Sequence, residues 1–350
     1  MRYCFLILFA FIFKKNLSQG QSIHRADSIV QQLMDSAHVT GICIGMIRDN
    51  QVLFTRAYGY RIKEQHLQND TSTCFYAASL SKAVFAYLVM QLVEKGVLSL
   101  DTPIARYLPK PLPDYENYRD LAGDDRWKQI TPAMCLSHTT GFPNWRQFNP
   151  NDNKKLEIFF TPGSRYAYSG EGIYLLQMVI ETITGRSLED LAKEMVFVPL
   201  NMTRTGYVWH PAFETDYALG YDEKGDSLRK RRRTTAGAAG SMETTISDYT
   251  KFMAAVMQND HGMFKPVIRI HSLHQFPSLR NDTTSANEKI DLSYGLGWGL
   301  YKTPYGNAFF KEGHDDGWVH YGIGIPSAGR ALVIMCNSSN GEKIFNRLCE

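Results

Sequence analysis

No stretch of the 350 residues reaches the roughly 20 apolar residues that a bilayer-spanning helix needs. The apolar run from Tyr3 to Phe13 is too short to span but fits the core of a secretory leader. Arg2 precedes it, and Ser18-Gln19-Gly20 offers a small-x-small cleavage site before Gln21. Lys14 and Lys15 directly after the core are unusual for a leader and keep a retained N-terminal anchor as the alternative. The expectation is a secreted or periplasmic chain with no membrane span after the leader. Cysteine is equally sparse. Of six, removing Cys4 with the leader leaves Cys43, Cys74, Cys135, Cys336 and Cys349, an odd number without C-x-x-C spacing. That argues against a disulfide framework and a zinc site; no metal and no cofactor are expected. Net charge is also lacking. The formal +3 is carried by Arg2, Lys14 and Lys15, so residues 21–350 are formally neutral, and a nucleic-acid partner is not expected. The one basic cluster, Arg229 to Arg233, reads as a solvated loop. Internal repeats and low-complexity segments are missing too.

What the chain does have is apolar content. With 44% hydrophobic residues it can bury a large core. Helical spacing runs over residues 22–37, and strands are expected at 42–47 and 52–60, joined by a turn at Arg48-Asp49-Asn50-Gln51. A Pro-rich connection through Pro113 opens a second lobe. Helices follow at about 172–184, ended by Gly185, at 188–197, and at 248–257 behind a Ser247 cap. From Tyr294 the pattern is strand-like: 294–301, 308–311, 318–325 and 331–336. Strands at both ends with helices between predict an α/β (α+β) fold. One antiparallel sheet is built from both chain ends and flanked by helices. The division is a leader at 1–20 and one domain at 21–350, with a sheet lobe at about 21–100 and 237–350 and a mostly helical lobe at about 101–236.

The chemistry-bearing stretch is Ala77-Ala78-Ser79-Leu80-Ser81-Lys82, followed by an apolar run to Lys95. Residues three apart share a helix face, so Lys82 reaches back to Ser79. A serine hydroxyl attacks well only when a neighbour takes its proton, and a lysine can do so only where burial or nearby cations depress its pKa. The S-x-x-K spacing occurs a second time at Ser227 to Lys230, but no apolar helix follows there to bury the lysine. On these residues alone, Ser79 as a helix cap and Lys82 as a first-turn surface lysine remain open. His138, in Ser137-His138-Thr139-Thr140-Gly141, reads as a turn histidine. Tyr168 lies on a loop at a helix entrance.

These markers, in this order, resemble those of the serine β-lactamase and penicillin-binding-protein superfamily. The resemblance is to its branch of class C β-lactamases, D-alanyl-D-alanine carboxypeptidases, D-aminopeptidases and related esterases. The likeness rests on Ser79-Leu80-Ser81-Lys82, residues 136–141, Tyr168-Ser169-Gly170, the Gly-Leu-Gly-Trp run at 295–298 and Gly313-His314-Asp315-Asp316-Gly317. It spans about residues 24–345. The resemblance implies Ser79 as acylated nucleophile and Lys82 with Tyr168 as the proton-transfer pair. His314 stands where relatives carry Lys or His on the strand lining the site, and backbone N–H groups of Ser79 and Gly317 form the oxyanion hole. Two positions depart. Gly170 replaces an asparagine that orients the lysine and the substrate's acylamino carbonyl, and Asp316 stands where Lys or His, any residue, Gly would end. Together they imply that a substrate bearing a free carboxylate is disfavoured against a small neutral ester. The implied partner is a small-molecule or peptide substrate, hydrolysed by an esterase, a peptidase or a β-lactamase. The alternative of another class is a ligand-binding or sensor protein on the same fold.

Overall fold

The computed structural model describes residues 19–271 and 286–349. The expected leader lies almost wholly outside this range. The frame is a nine-stranded sheet in which every pair of neighbours runs antiparallel. From the N-terminal part come β1 (Gly41–Arg48), β2 (Gln51–Ile62) and β3 (Leu67–Gln68). The C-terminal part supplies β6 (Ile268–Arg269), β7 (Ser293–Tyr294), β8 (Gly299–Thr303), β9 (Gly306–Asp315), β10 (Trp318–Ile325) and β11 (Arg330–Cys336). Their order across the sheet is β3-β2-β1-β11-β10-β9-β8-β7-β6. The two chain ends join where β1 lies beside β11, with Ile44 opposite Ile334. A separate two-stranded piece pairs β4 (Phe75–Tyr76) with β5 (Glu243–Thr244).

Strand alternation buries both faces of the sheet. Ile42, Ile44, Leu332, Ile334 and Cys336 pack with Val30 and Met34 of α1 (Gln19–Ala37) and with Ile344 and Phe345 of α8 (Glu342–Cys349). The intervening Cys43, Val333 and Met335 face the larger core. That core is shared by α2 (Ser81–Glu94) and α6 (Ile246–Gln258). Cys43, Cys74, Cys135 and Cys336 are free thiols and all buried. α2 is buried on nearly every side, as its unbroken apolar run predicts.

Several expectations are corrected. Between α2 and β5 the middle lobe is less helical than expected. Of its α-helices only α4 (Gly170–Thr184) is long; α3 (Pro132–Leu136) has five residues, while α5 (Leu188–Ala192) runs on as a π-helical turn over Lys193–Phe197, so the helix expected at 188–197 is present. Eight prolines between 103 and 162 remove backbone donors and confine the segment to short 3-10 turns. The strand expected at 294–301 is two strands, because Gly295 N–H closes a tight turn on the Trp298 carbonyl. The cap of α6 is Thr245, whose hydroxyl accepts from Asp248 N–H, two residues before Ser247. The basic run is not simply solvated, since Lys230 is buried against Glu243 at 2.7 Å. Among the described residues no helix is long and apolar enough to cross a membrane.

Candidate active site

Ser79 sits where β4 runs into the helix. Ala77 N–H bonds the Met242 carbonyl at 2.8 Å, tying the approach to the strand beside it. Ala78 then takes φ +46°, a left-handed conformation that L-residues avoid and that usually needs surrounding contacts to hold it. Here the holding contact is the Ser81 hydroxyl, which donates to the Ala78 carbonyl at 2.6 Å. A single 3-10 turn, Ala78–Leu80, precedes α2. The consequence is an exposure contrast: from Thr73 to Met90 every residue is buried except Ser79.

Lys82 points back along this turn. It is 1% exposed, its Nζ lies 2.9 Å from Ser79 Oγ, and it also donates to the Ala239 carbonyl. Burial, then the charge of Lys311, holds its pKa well below the ordinary lysine value. Tyr168 lies over the same point: its hydroxyl shares a hydrogen bond with the Ser79 hydroxyl, and Lys82 Nζ stands 4.9 Å from its ring centre. Burial pushes the Tyr168 phenol up, against the pull of the Ser79 bond. A charged Lys82 beside a phenolate, the arrangement that proximity alone suggests, is therefore not the one burial favours. In a dry site both groups are driven towards neutrality. A neutral Lys82 amine can give one hydrogen to the Ala239 carbonyl and present its lone pair to Ser79 Oγ–H.

Tyr168 is held from behind. Ser169 caps α4, its hydroxyl accepting from Gly172 N–H at 2.9 Å. Its own N–H donates to His138 Nδ1 at 3.2 Å. That bond fixes the His138 proton on Nε2. Burial, followed by the charges of Lys311 and Lys82, keeps this imidazole's pKa well below its usual value. Its ring packs 4.3 Å, centre to centre, from that of Tyr168. His138 thus supports the Tyr168 ring, in a turn at φ +57°.

The strand β9 supplies the last side, and here the sequence-based assignment shifts by three residues. His314 faces away from the site: its side chain is 59% exposed, and its Nδ1 lies 3.5 Å from Glu342 on α8. Lys311, on the opposite face of the same strand, is the cation beside Ser79. Its Nζ lies 3.4 Å from the Tyr168 hydroxyl and 2.8 Å from the Tyr294 hydroxyl. Burial lowers its pKa to about 7. Gly313 then holds the close approach, since a Cβ there would stand 2.8 Å from the Ala77 carbonyl oxygen. The strand motif is therefore Lys311-Glu312-Gly313, which itself satisfies Lys, any residue, Gly. Period-two alternation, measured from that lysine, was the signal that could have found it.

The same shift removes two other assignments. Asp316 is exposed in the turn between β9 and β10, with its N–H on the Asp315 carboxylate. It therefore does not crowd the pocket. Gly317 N–H bonds Ser339 Oγ at 2.9 Å and is not turned to Ser79 as an oxyanion donor. Gly170 does lie at the site, but its missing side chain is replaced by an indole: a Cβ there would stand 2.4 to 2.9 Å from three atoms of the Trp145 ring. Ala239, Tyr294 and Trp145 carry no motif and were not legible as site residues. Among the described residues no group of three His, Cys, Asp or Glu side chains is placed to hold a metal ion.

The model of the Beta-lactamase family matches residues 26–347. Protein flp of Staphylococcus aureus (strain NCTC 8325 / PS 47) is 21% identical over 334 residues, covering 91% of this chain and 64% of flp. Esterase EstB of Burkholderia gladioli is 27% identical over 208 residues, 53% of this chain and 51% of EstB. The chain thus spans less than two thirds of either relative. Among solved structures, the octameric penicillin-binding protein homologue from Pyrococcus abyssi superposes with TM-score 0.71 at 22% identity, covering 91% of this chain and 74% of that one. The D-alanine carboxypeptidase AmpC from Burkholderia cenocepacia gives TM-score 0.71 at 20% identity, covering 94% and 99%. These likenesses carry the fold, and with the match of the family model over nearly the whole length they show that the chain belongs to the Beta-lactamase family.

Proposed function

We propose that the chain is a serine hydrolase that forms an acyl-enzyme at Ser79 on an ester or amide substrate. The observation that carries this reading is an accessible Ser79 hydroxyl 2.9 Å from a buried amine whose pKa is held well below that of an ordinary lysine. Lys82 takes the Ser79 proton as Oγ adds to the substrate carbonyl. The Ser79 N–H, at the start of the helical turn, and the backbone edge of β9 stabilise the oxyanion. That edge is open beyond Phe310, the last residue of β9 to pair with β8. The proton held by Lys82 passes through the Tyr168 hydroxyl to the leaving oxygen or nitrogen, and the bond to the carbonyl carbon breaks. Water then adds to the ester on Ser79, the same groups take its proton, and Oγ leaves reprotonated.

A non-catalytic sensor drew its support from Gly170 and Asp316. Asp316 stands in an outer turn, and the amide missing at Gly170 leaves Ser79, Lys82 and Tyr168 together, which favours the hydrolytic reading. The relatives named an esterase and a D-alanine carboxypeptidase favour the hydrolytic reading without choosing between ester and amide. Treatment with a fluorophosphonate, followed by intact-mass and peptide analysis, is expected to show one adduct per chain on the peptide containing Ser79. An adduct at Ser227, or none on a folded protein, overturns the assignment.

The pH dependence follows from the same charges. Lys82 acts as base only when unprotonated, so activity rises as pH climbs through its pKa and falls when the Tyr168 phenol ionises. The Lys311 ammonium lowers the pKa of Lys82; Lys311→Gln removes that charge and should move the acid limb of kcat/KM to higher pH. Profiles with p-nitrophenyl acetate measure the shift. A limb that stays in place or moves down contradicts the role given to Lys311.

A further inference from the structure

Ser79 and Lys82 are hydrogen-bonded neighbours with opposite access to solvent: Ser79 is half-buried and open, while Lys82 beside it is 1% exposed. Two rings cover the amine, that of Tyr168 with its centre 4.9 Å from Nζ and the indole of Trp145 with its centre at 5.7 Å. Gly170 contributes no side chain to this cover. The space into which one would grow is taken by the indole, 2.4 to 2.9 Å from an added Cβ. The indole is held there through both of its chain neighbours. Asn144 accepts the Gly170 N–H on its carbonyl and on its side-chain oxygen, each at 3.0 Å, and the Glu171 N–H on its carbonyl at 3.1 Å. Arg146 donates from Nε and Nη2 to the two oxygens of Glu171, at 3.0 and 2.9 Å, and from its backbone N–H to Oε1 at 3.0 Å. A tryptophan whose neighbours are both bound to the first turn of α4 is fixed relative to Tyr168, which enters that same turn. Its ring also leans on Tyr174 of α4, centres 5.5 Å apart.

We propose that Trp145 is a positioning residue for Lys82: clamped over the gap at Gly170, its indole keeps water from the amine while leaving the Ser79 hydroxyl open to substrate. The inference rests on the hydrolase reading above. Two effects of the ring oppose each other. A ring face attracts an ammonium, but 5.7 Å is close to the outer limit of about 6 Å for that attraction. Exclusion of water disfavours the charge, and burial is the largest cause of the lowered Lys82 pKa. Exclusion therefore outweighs attraction. The titratable groups that face the amine are Tyr168, Lys311 of β9 and His138. Burial drives Tyr168 and His138 towards their neutral forms and Lys311 is a base, so none of them supplies a negative charge to hold an ammonium in place. Dryness around Lys82 is what keeps it a free amine, and the indole maintains it.

The test is the pH profile of kcat/KM for p-nitrophenyl acetate. Trp145→Ala should move the acid limb up by about one pH unit, part of the roughly three to five units that full burial can impose, and much of the rate should return at the alkaline end. Damage to the fold alone would lower the rate at every pH and leave the limb in place. Trp145→Val suits the extended backbone at this position, φ −138° and ψ 141°; it should shift the limb the same way and decides the matter if Trp145→Ala does not fold. Trp145→Ala/Gly170→Leu refills the gap from the other side and should bring the limb most of the way back. Because Lys311 itself titrates at about 7, the shift is also measured in a Lys311→Gln background, where it should persist. A limb that stays in place, that moves down as attraction of the ammonium by the ring would require, that fails to return in the double variant, or whose shift vanishes with Lys311 overturns the assignment. The rate of fluorophosphonate labelling at Ser79 against pH reads the same base without turnover. Absence of labelling in the natural protein instead overturns the hydrolase reading.

Discussion

Replacing Lys82 by methionine is expected to lower kcat/KM for an activated ester by about 10³- to 10⁴-fold, the upper range for loss of a positioned base, without lowering the thermal midpoint. The two outcomes have one cause. Lys82 is 1% exposed, and among the described residues its hydrogen-bond partners are the Ser79 hydroxyl and the Ala239 carbonyl. Among the described residues no carboxylate offsets the cost of a charge there. An amine in such a place gives up proton affinity, which suits a base and stabilises nothing. Methionine has nearly the same length and volume and carries no group to desolvate, so packing is kept. Tyr168→Phe should cost less, about 10²-fold, because Lys82 still reaches Ser79 while only the relay to the leaving group is lost. His138→Phe should cost least, because His138 touches the ring of Tyr168 and not the reacting atoms. Rates are read by stopped-time assay of p-nitrophenolate and stability by thermal denaturation. If Lys82→Met stays within tenfold of the natural protein while Tyr168→Phe is inactive, the base is Tyr168 and the electrostatic reading of the pair is wrong.

The sheet and its two-ended construction were legible because apolar alternation is a local signal that survives without tertiary knowledge. Ile42 and Cys43, adjacent in sequence, are sent to opposite cores as period two requires. The Ser79 helix was legible for a similar reason, a long apolar run behind a polar turn. What sequence could not deliver was register. The choice between Lys311 and His314 depends on which face of β9 meets the helix; only Lys311 is followed two residues on by glycine, and the contact that makes that glycine matter, Gly313 against the Ala77 carbonyl, joins segments more than 230 residues apart. Gly170 was read as a missing amide, when the physical fact is a ring from residue 145 in its place. A departure from a motif is informative only together with whatever fills the space, and the filling residue carried no motif of its own. The prolines of the middle lobe are a local signal against long helices, since each removes a helix donor whatever the tertiary context.

Lys230→Met is the counter-case to Lys82→Met, and should destabilise the protein by about 3 to 5 kcal/mol, the range for removing one partner of a buried ion pair. Lys230 is enclosed by the rings of Trp209, Tyr217 and Trp318, with Nζ 5.1 to 5.9 Å from their centres, and bonds Glu243 at 2.7 Å. Glu243 pairs with Tyr76 across β4–β5, so the ion pair anchors both the strand that delivers Ser79 and the loop that carries the Ala239 carbonyl. Burial raises the Glu243 carboxyl above its ordinary pKa, and Lys230 followed by Arg233 opposes that rise. Without Lys230 the folded-state pKa climbs further. A raised carboxyl pKa means that the folded state holds its proton more tightly than the unfolded chain. The protonated form is therefore tolerated below the unfolded value near 4.5, and stability is lost as pH rises through the folded one. The deficit of Lys230→Met should accordingly be largest at neutral pH and shrink on acidification, while Lys230→Met/Glu243→Gln should recover much of the loss at neutral pH. Urea denaturation of the three proteins at about pH 5 and pH 7.5 separates the cases. A deficit independent of pH, or no recovery in the double variant, would mean that Lys230 acts through its packing among the three rings and that Glu243 is satisfied by Arg233 alone.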